Sequence, residues 1–521
     1  MSRRRFLGRS LMAAGGLALG RRASSGAAPA IVRLGEPPQA SHGVASGDVT
    51  AGRGIVWSRC DRPARMVVEW DTTDGFRNPR RVEGPAALPE TGLTARVDLT
   101  GLPPDQRIFY RVRFQDLEDT KLWSEPALGS FASAPEQRRG VRFLWSADTA
   151  GQGWGIDESR GGMCLYETMR VTRPDFFVHC GDWIYADNPL QKEVPLPDGG
   201  IWRNIVTPAK SKVAETLDEF RGNYLYNLLD ANLRRFGAEV PQLGIWDDHE
   251  VLNNWYPGEL LQDERYQERR VSVLAERARQ AFLEHVPLRF SAQDPLRVYR
   301  SYVYGPSLEL FLLDLRSYRG PNGPNRQEKL GPGAAILGRE QLDWLKRGLV
   351  ESRATWKVIA SDMPIGLQVA EWPSETDFEG IANGDGPPLG RELEIADLLR
   401  ALRDADVRNT IWLTADVHYC AAHHYHPDRA RFREFLPFWE FVAGPLHAGT
   451  FGPSRLDETF GPEVRFLGIP EGMAPNRPPS EGLQFFGQAE LHPDSETLSV
   501  SLHDLSGRTL WSVDLEPEGR G

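Results

Sequence analysis

PQLGIWDDHEVLNNW, residues 241–255, runs an apolar stretch straight into a block of charge. The hydrophobic run ends at Trp246. Asp247, Asp248, His249 and Glu250 follow, with Asn253 and Asn254 just beyond. Four consecutive ionisable side chains are costly to bury unless each finds a partner. Trp246 and Trp255 nevertheless bracket them, which predicts a partly enclosed cluster instead of a solvated turn. Such a cluster is either an acid-rich helix start or the seat of something cationic.

The same pattern occurs five more times: VRFLWSADTAG (141–151), PDFFVHCGDWIYAD (174–187), SLELFLLDLRSYR (307–319), TWKVIASDMPIG (355–366) and NTIWLTADVHY (409–419). Short continuous apolar runs suit strands buried on both faces, with function carried by the loops at one end. Helical stretches at 161–171, 212–237, 265–286, 339–352 and 391–405 lie between several of them, so the sequence predicts an α/β layered domain. Residues 38–135 instead alternate with period two and turn at Pro103-Pro104. They read as strands of an immunoglobulin- or fibronectin-like β-sandwich, with Tyr110 at a corner. Alternation returns over 483–517, which predicts an antiparallel edge.

The strand ends carry the chemistry. Asp148 follows the first run, Asp182 and Tyr185 the second, and Asp247, Asp248 and His249 the third; Asp362 closes the fifth, and Asp416 and His418 the sixth. One aspartate after a strand is usually a turn former or helix cap. Five strand ends presenting oxygen and imidazole ligands to one rim are different, because crowded carboxylates would be forced to protonate. Two metal ions resolve the conflict, and an aspartate shared by both permits a spacing of roughly 3.5–4 Å.

In this order, Asp148, GDWIY (181–185), WDDHE (246–250) with its two asparagines, SDMP (361–364) and ADVH (415–418) resemble the metallophosphoesterase superfamily. In detail they resemble its PhoD-like branch of alkaline phosphatases and phosphodiesterases. The resemblance covers nearly the whole chain. It implies a twin-arginine signal in 1–30, the β-sandwich in 31–136, and in 137–521 a catalytic domain with helices around a two-sheet β core. It also implies metal ligands at Asp148, Asp182 (bridging), Tyr185, Asp248, Asp362, Asp416 and His418, with His249 protonating the leaving oxygen. Asp247 and Glu250 would orient these groups, and Asp247 and Asp248 are interchangeable at this stage. The chain departs from the superfamily pattern at Ala150, where a histidine is usual, and at Asp362 and Asp416, where ligand histidines are expected. Tyr185 stands where purple acid phosphatases use a phenolate for ferric iron.

So many carboxylates favour iron(III), calcium, manganese or magnesium over a zinc pair. The resemblance implies iron(III) plus calcium, with manganese, magnesium or zinc as alternatives. Some members of the branch carry a cysteine at the first strand end, where this chain has Ala147 and Asp148. Arg316 and Arg319 follow another apolar run and suit bidentate binding of phosphoryl oxygens, unless Asp314 pairs with either of them structurally. Asn253 and Asn254 are candidates to orient the nucleophile or donate to phosphate. His423, His424 and His426 read as a wet loop or as support behind the ligands, and Cys180 and Cys420 as buried thiols. GQGWG (151–155) fits neither phosphate-loop pattern, and no GxSxG is present.

The expected function is therefore hydrolysis of small-molecule phosphate esters by a metal-bound hydroxide. Phosphodiesterase or phospholipase D-like activity on the same site is the alternative, as is a non-catalytic binding protein stabilised by metal. A net charge of −11 disfavours a nucleic-acid partner, and 15 tryptophans argue against disorder. Six arginines and no acid precede residue 31, and the apolar run from Leu11 to Leu19 is too short to span a membrane stably. With Ala28-Pro29-Ala30 as a cleavage site, this predicts a twin-arginine leader, passage through that export machinery and a periplasmic or secreted enzyme. The four cysteines are scattered and show no metal-ribbon spacing.

Overall fold

All six apolar runs form strands, divided between two sheets. Val141–Ser146, Phe176–Cys180 and Gln242–Ile245 are parallel neighbours in a nine-stranded sheet. Leu308–Leu312, Trp356–Ala360 and Thr410–Thr414 are parallel neighbours in a seven-stranded one. The computed structural model describes residues 35–371, 374 and 376–519; the expected leader and its cleavage site lie outside the described residues. Among the described residues, no helix is long and apolar enough to cross a membrane.

Successive side chains of a strand point to opposite faces, and here both faces are covered. Trp145, Val178 and Ile245 of one sheet meet Leu310, Val358 and Leu413 of the other in a shared core. On the outer side of the first sheet, Leu144 and Phe177 pack under the helices Cys164–Val171 and Ala231–Glu239. Phe311, Ile359 and Trp412 do the same under Gly338–Glu351 and Glu392–Asp404. The layers run helix, sheet, sheet, helix, which places the C-terminal ends of six parallel strands along one rim.

The helical stretch expected over 212–237 is two helices, Leu217–Asn227 and Ala231–Glu239. Asp230 makes the break: its carboxylate accepts from the Asn232 and Leu233 amides and also from Met163 N at 2.9 Å. The histidines at 423–426 do not form a wet loop. Ala421–Tyr425 is a strand of the second sheet, in which His423 is buried on Glu440 and His424 packs on Trp439.

The N-terminal region has two facing sheets, but one of them is shared. The four strands Arg80–Ala87, Ala64–Asp71, Arg107–Asp116 and Ala127–Ala132 pack on Ala40–Thr50, Arg53–Cys60 and Thr94–Thr100 across Val56, Val68, Val112 and Phe131. Ala40–Thr50 then pairs in parallel with Gln242–Ile245, Gly47 opposite Gln242, so the second layer continues into the nine-stranded sheet. Tyr110 does not close a corner within the sandwich, because its hydroxyl reaches the Ala238 carbonyl at 3.4 Å. At the other end, Phe485–Leu491, Leu498–Asp504 and Thr509–Leu515 add the expected antiparallel edge beside Val141–Ser146.

Candidate metal centre

The rim residues leave their strands through an unusual backbone. Asp148, Asp182, Asp416 and His418 have φ of 69°, 54°, 65° and 60°. Asp and His tolerate this left-handed region better than most side chains, and such conformations gather where a site demands them. Gly181, just before Asp182, sits at φ 109°, and a Cβ there would strike Asp247. Gly181→Ala is expected to destabilise the protein by more than about 2 kcal/mol, read as a lowered unfolding midpoint.

Among the described residues, three groups of ligand atoms result, each with its members within 4.8 Å of one another: Asp148, Asp182 and His418; Asp182, Asp248 and His249; and Asp247, Asp248 and Asp416. Asp182 belongs to the first two and Asp248 to the last two, so the groups form a chain joined by shared carboxylates. Both oxygens of Asp148, and one each of Asp247, Asp248 and Asp362, are buried without a hydrogen-bond partner among the described residues. Burial, followed by the like charge of neighbouring carboxylates, drives the carboxyls of Asp148, Asp182, Asp247 and Asp416 well above the usual range. A multivalent cation would supply the charge that these groups lack.

The remaining donors also suit a metal. His418 Nδ1 lies 2.5 Å from the Gly449 carbonyl and donates to it, which leaves Nε2 as a lone pair. That Nε2 faces the Tyr185 hydroxyl at 2.8 Å and Asp148 at 3.9 Å. Burial lowers the His418 pKa to about 4, so the imidazole is the neutral form that ligands require. Carboxylates, a phenol and a neutral imidazole make a hard, oxygen-rich set.

Asp362 stands behind these groups. One of its oxygens takes Arg316 Nε at 3.1 Å, and it joins none of the three groups among the described residues. Arg316 departs from its expected role. Its side chain is 0% exposed, and every guanidinium nitrogen meets a carboxylate: Nε meets Asp247, one terminal nitrogen meets Asp247 and, at 3.4 Å, Asp416, and the other terminal nitrogen meets Glu379 at 2.6 Å. With no exposed surface, and absent from the recess wall, the guanidinium has no face open to a phosphoryl oxygen. Arg319 is likewise buried on Glu379 and Asn322. Asp314 pairs with neither guanidinium; it accepts from Trp246 Nε1 at 2.9 Å and from the Arg316 and Ser317 amides.

His249 is held by a residue that the sequence pattern did not single out. Its Nδ1 is 2.7 Å from Asp187, whose other oxygen accepts from Asn253 N at 3.0 Å. Burial opposes a charge on His249, but Asp187, Asp248 and Asp182 outweigh it and raise its pKa well above the ordinary value. Glu250 is an organiser: it accepts from the backbone amides of Asp247 at 2.7 Å, Trp183 at 2.5 Å and Asp182 at 3.3 Å. Asn254 gives its amide N–H to Asp248 at 2.5 Å and its side chain to Glu371 at 3.0 Å. Asp182, Asp248, His249, Asn253, Asn254, Asp416 and His418 open on one recess of about 190 Å³, walled further by Gln152 and Phe451. Asp187 ends the quoted run GDWIYAD, so its place two residues after Tyr185 was the available signal. Glu379 lies on a long loop, where strand-end reasoning has no purchase.

Over residues 143–502 the sequence matches the family model of the PhoD-like phosphatases, and over 26–135 that of their N-terminal domain. The chain belongs to the PhoD-like phosphatase family. It is thus a phosphoester hydrolase, and its Asp and His groups are candidate metal-binding groups. It is 28% identical over 441 residues to alkaline phosphatase D of Bacillus subtilis strain 168, an alignment spanning 80% of this chain and 71% of that protein. The solved structure of PhoD superposes with a TM-score of 0.67 at 20% identity, covering 92% of this chain and 93% of that one. Purple acid phosphatase PPD1 from yellow lupin seeds gives 0.56 at 13% identity, covering 92% and 74%. Both share the fold of this PhoD-like phosphatase.

Proposed function

We propose that this PhoD-like phosphatase hydrolyses small-molecule phosphate esters at the recess, with metal ions held by Asp148, Asp182, Tyr185, Asp248, Asp416 and His418. The observation that carries the reading is Asp182, shared by two ligand groups on the same recess as the His249–Asp187 pair. Iron(III) beside the Tyr185 phenol, with calcium among the carboxylates, suits the donor set best; manganese, magnesium and zinc are the alternatives. When bound, such ions acidify a water and neutralise phosphoryl oxygens.

The chain's own residues supply the rest. His249 holds a proton on Nε2, and Asp187 fixes the ring through Nδ1 so that this proton can pass to the departing alkoxide. Asn253 and Asn254 line the recess, which supports a contact of theirs with the phosphoryl group. Arg316, buried among carboxylates, orients ligands in place of substrate.

Hydrolysis of p-nitrophenyl phosphate and bis-p-nitrophenyl phosphate tests the proposal, and their rate ratio chooses between monoester and diester, including phospholipase D-like, chemistry. His249→Ala is expected to lower kcat about 10²–10⁴-fold. Asp187→Asn is expected to cost about 10–100-fold, with KM little changed. Neither substrate turning over in the metal-loaded protein would favour the binding-protein reading.

Export by the twin-arginine route to the periplasm or exterior rests on Arg3, Arg4 and Arg5 ahead of the apolar run. Replacing all three with lysine is expected to retain the protein in the cytoplasm, as seen by cell fractionation. Export unchanged by that replacement would remove the proposal.

A further inference from the structure

The loop that carries Tyr185 and Asp187 is held by polar groups from several directions. Glu250 takes the amides of Asp182 and Trp183. Asn227 Nδ2 donates to the Trp183 carbonyl at 2.6 Å, the Ala186 amide donates to the His249 carbonyl at 2.9 Å, and the Ala214 amide donates to the Ala186 carbonyl at 2.8 Å. The Tyr185 carbonyl accepts from Lys210 Nζ at 2.7 Å. Lys210 closes the short 3₁₀ turn Pro208–Lys210 and is only 2% exposed. Its own carbonyl accepts from Leu190 N at 2.7 Å, so this one residue grips the segment 185–190 at both ends. The turn is seated against the helix Leu217–Asn227, where a Cβ at Gly222 would come within 2.5 Å of the Ala209 side chain. The Lys210 Nζ lies 5.8 Å from the Tyr226 ring centroid, and Tyr226 is fixed in turn because its hydroxyl accepts from Ile156 N at 2.7 Å.

Burying an amine on one carbonyl and one ring face is a poor source of stability, because its desolvation opposes what those contacts return. Its position explains it better. We infer that Lys210 is a positioning residue of the hydrolytic site, which holds the 185–190 loop so that two groups of different function stay in register. On one side the Tyr185 hydroxyl faces His418 Nε2 at 2.8 Å, within the candidate metal ligands. On the other, the Asp187 carboxylate meets His249 Nδ1 at 2.7 Å and the Asn253 amide at 3.0 Å. A shift of this loop would displace a metal ligand and the anchor of the proton donor together, and small misplacements of such groups are felt strongly in the rate. The inference rests on the reading of the recess as the phosphoesterase site.

Lys210→Met keeps the length of the side chain and removes its donor. In the metal-loaded protein it is expected to lower kcat about tenfold with KM little changed, and manganese titrated into the stripped variant should bind about tenfold more weakly by calorimetry. Lys210→Gln, which keeps a donor on a shorter arm, should recover part of both losses; should Lys210→Met not fold, Lys210→Gln carries the same comparisons. Because Lys210 acts partly through Asp187, the two substitutions should not multiply: in an Asp187→Asn background, Lys210→Met is expected to lower kcat by less than about threefold. Wild-type kcat and manganese affinity in Lys210→Met would overturn the inference. So would an equal loss in both backgrounds, which a general loosening of the fold would give. His249→Ala separates this from failure of the underlying reading: if that variant keeps wild-type activity, the recess is not the site, whereas if it loses activity and Lys210→Met does not, only the positioning role falls.

Discussion

Arg316→Ala is expected to destabilise the fold by about 3–5 kcal/mol, because removing one member of a buried ion cluster strands the others. The residue contacts Asp247, Asp362, Glu379 and Asp416 with no exposed surface. Burial opposes its charge, but Asp247, Glu379, Asp248 and Asp362 outweigh it and raise its pKa well above an already high value. Urea unfolding of the metal-loaded protein gives the midpoint shift. Arg316→Lys should recover only part of the loss, since one ammonium cannot serve carboxylates that a planar fork reaches in several directions. A substrate-binding arginine would behave in the opposite way: stability would be kept, with KM raised. An Arg316→Ala protein of wild-type stability and weakened substrate affinity would return this residue to the role its sequence position suggested.

Stripping the ions is the second large perturbation. Chelation is expected to abolish hydrolysis and lower the unfolding temperature, both reversed on adding metal back. Ligand held at a thousandfold excess over its Kd contributes about 4 kcal/mol to a folded protein. The stripped protein should also acquire a pH dependence that the loaded one lacks. Its buried carboxyls at Asp148, Asp182, Asp247 and Asp416 are raised, first by burial and then by their neighbours, above their unfolded values. The folded state then binds more protons than the unfolded one. Stability is therefore highest below the ordinary carboxylate pKa and falls as pH rises above it. Thermal melts of chelated protein at pH 5 and pH 8 give the comparison, and a higher midpoint at pH 8 would show that the carboxylates do not share one enclosed site.

The six strands and their rim were legible because a strand buried on both faces must be continuously apolar, and a loop that binds ions must not be; FFVHC before Gly181-Asp182 shows both. The role of Arg316 was not legible, since the same LDLRSYR would serve an arginine facing solvent or one facing Glu379, 63 residues away. The position of Asp187 could be marked from its place after Tyr185, but its pairing with His249 could not, because the two are brought together by the pairing of Phe176–Cys180 with Gln242–Ile245. The cap at Asp230 is local, through Asn232 and Leu233, but its added bond from Met163 N is a contact made in the tertiary structure. Period and composition report which side is buried; they do not report which distant charge occupies the other end of a hydrogen bond.

The nine-stranded sheet also imposes an order on how the chain can be finished. Val141–Ser146 takes Phe176–Cys180 on one side within about one helix of chain, but its other side waits for Phe485–Leu491. During synthesis every ligand from Asp148 to His418 leaves the ribosome before that partner exists. A nascent chain ending short of residue 485 carries a bare, apolar strand edge beside a nearly complete set of metal ligands, the kind of edge that recruits other chains. Ribosome-bound fragments ending near 470 should accordingly aggregate on release, and those extending past 515 should not.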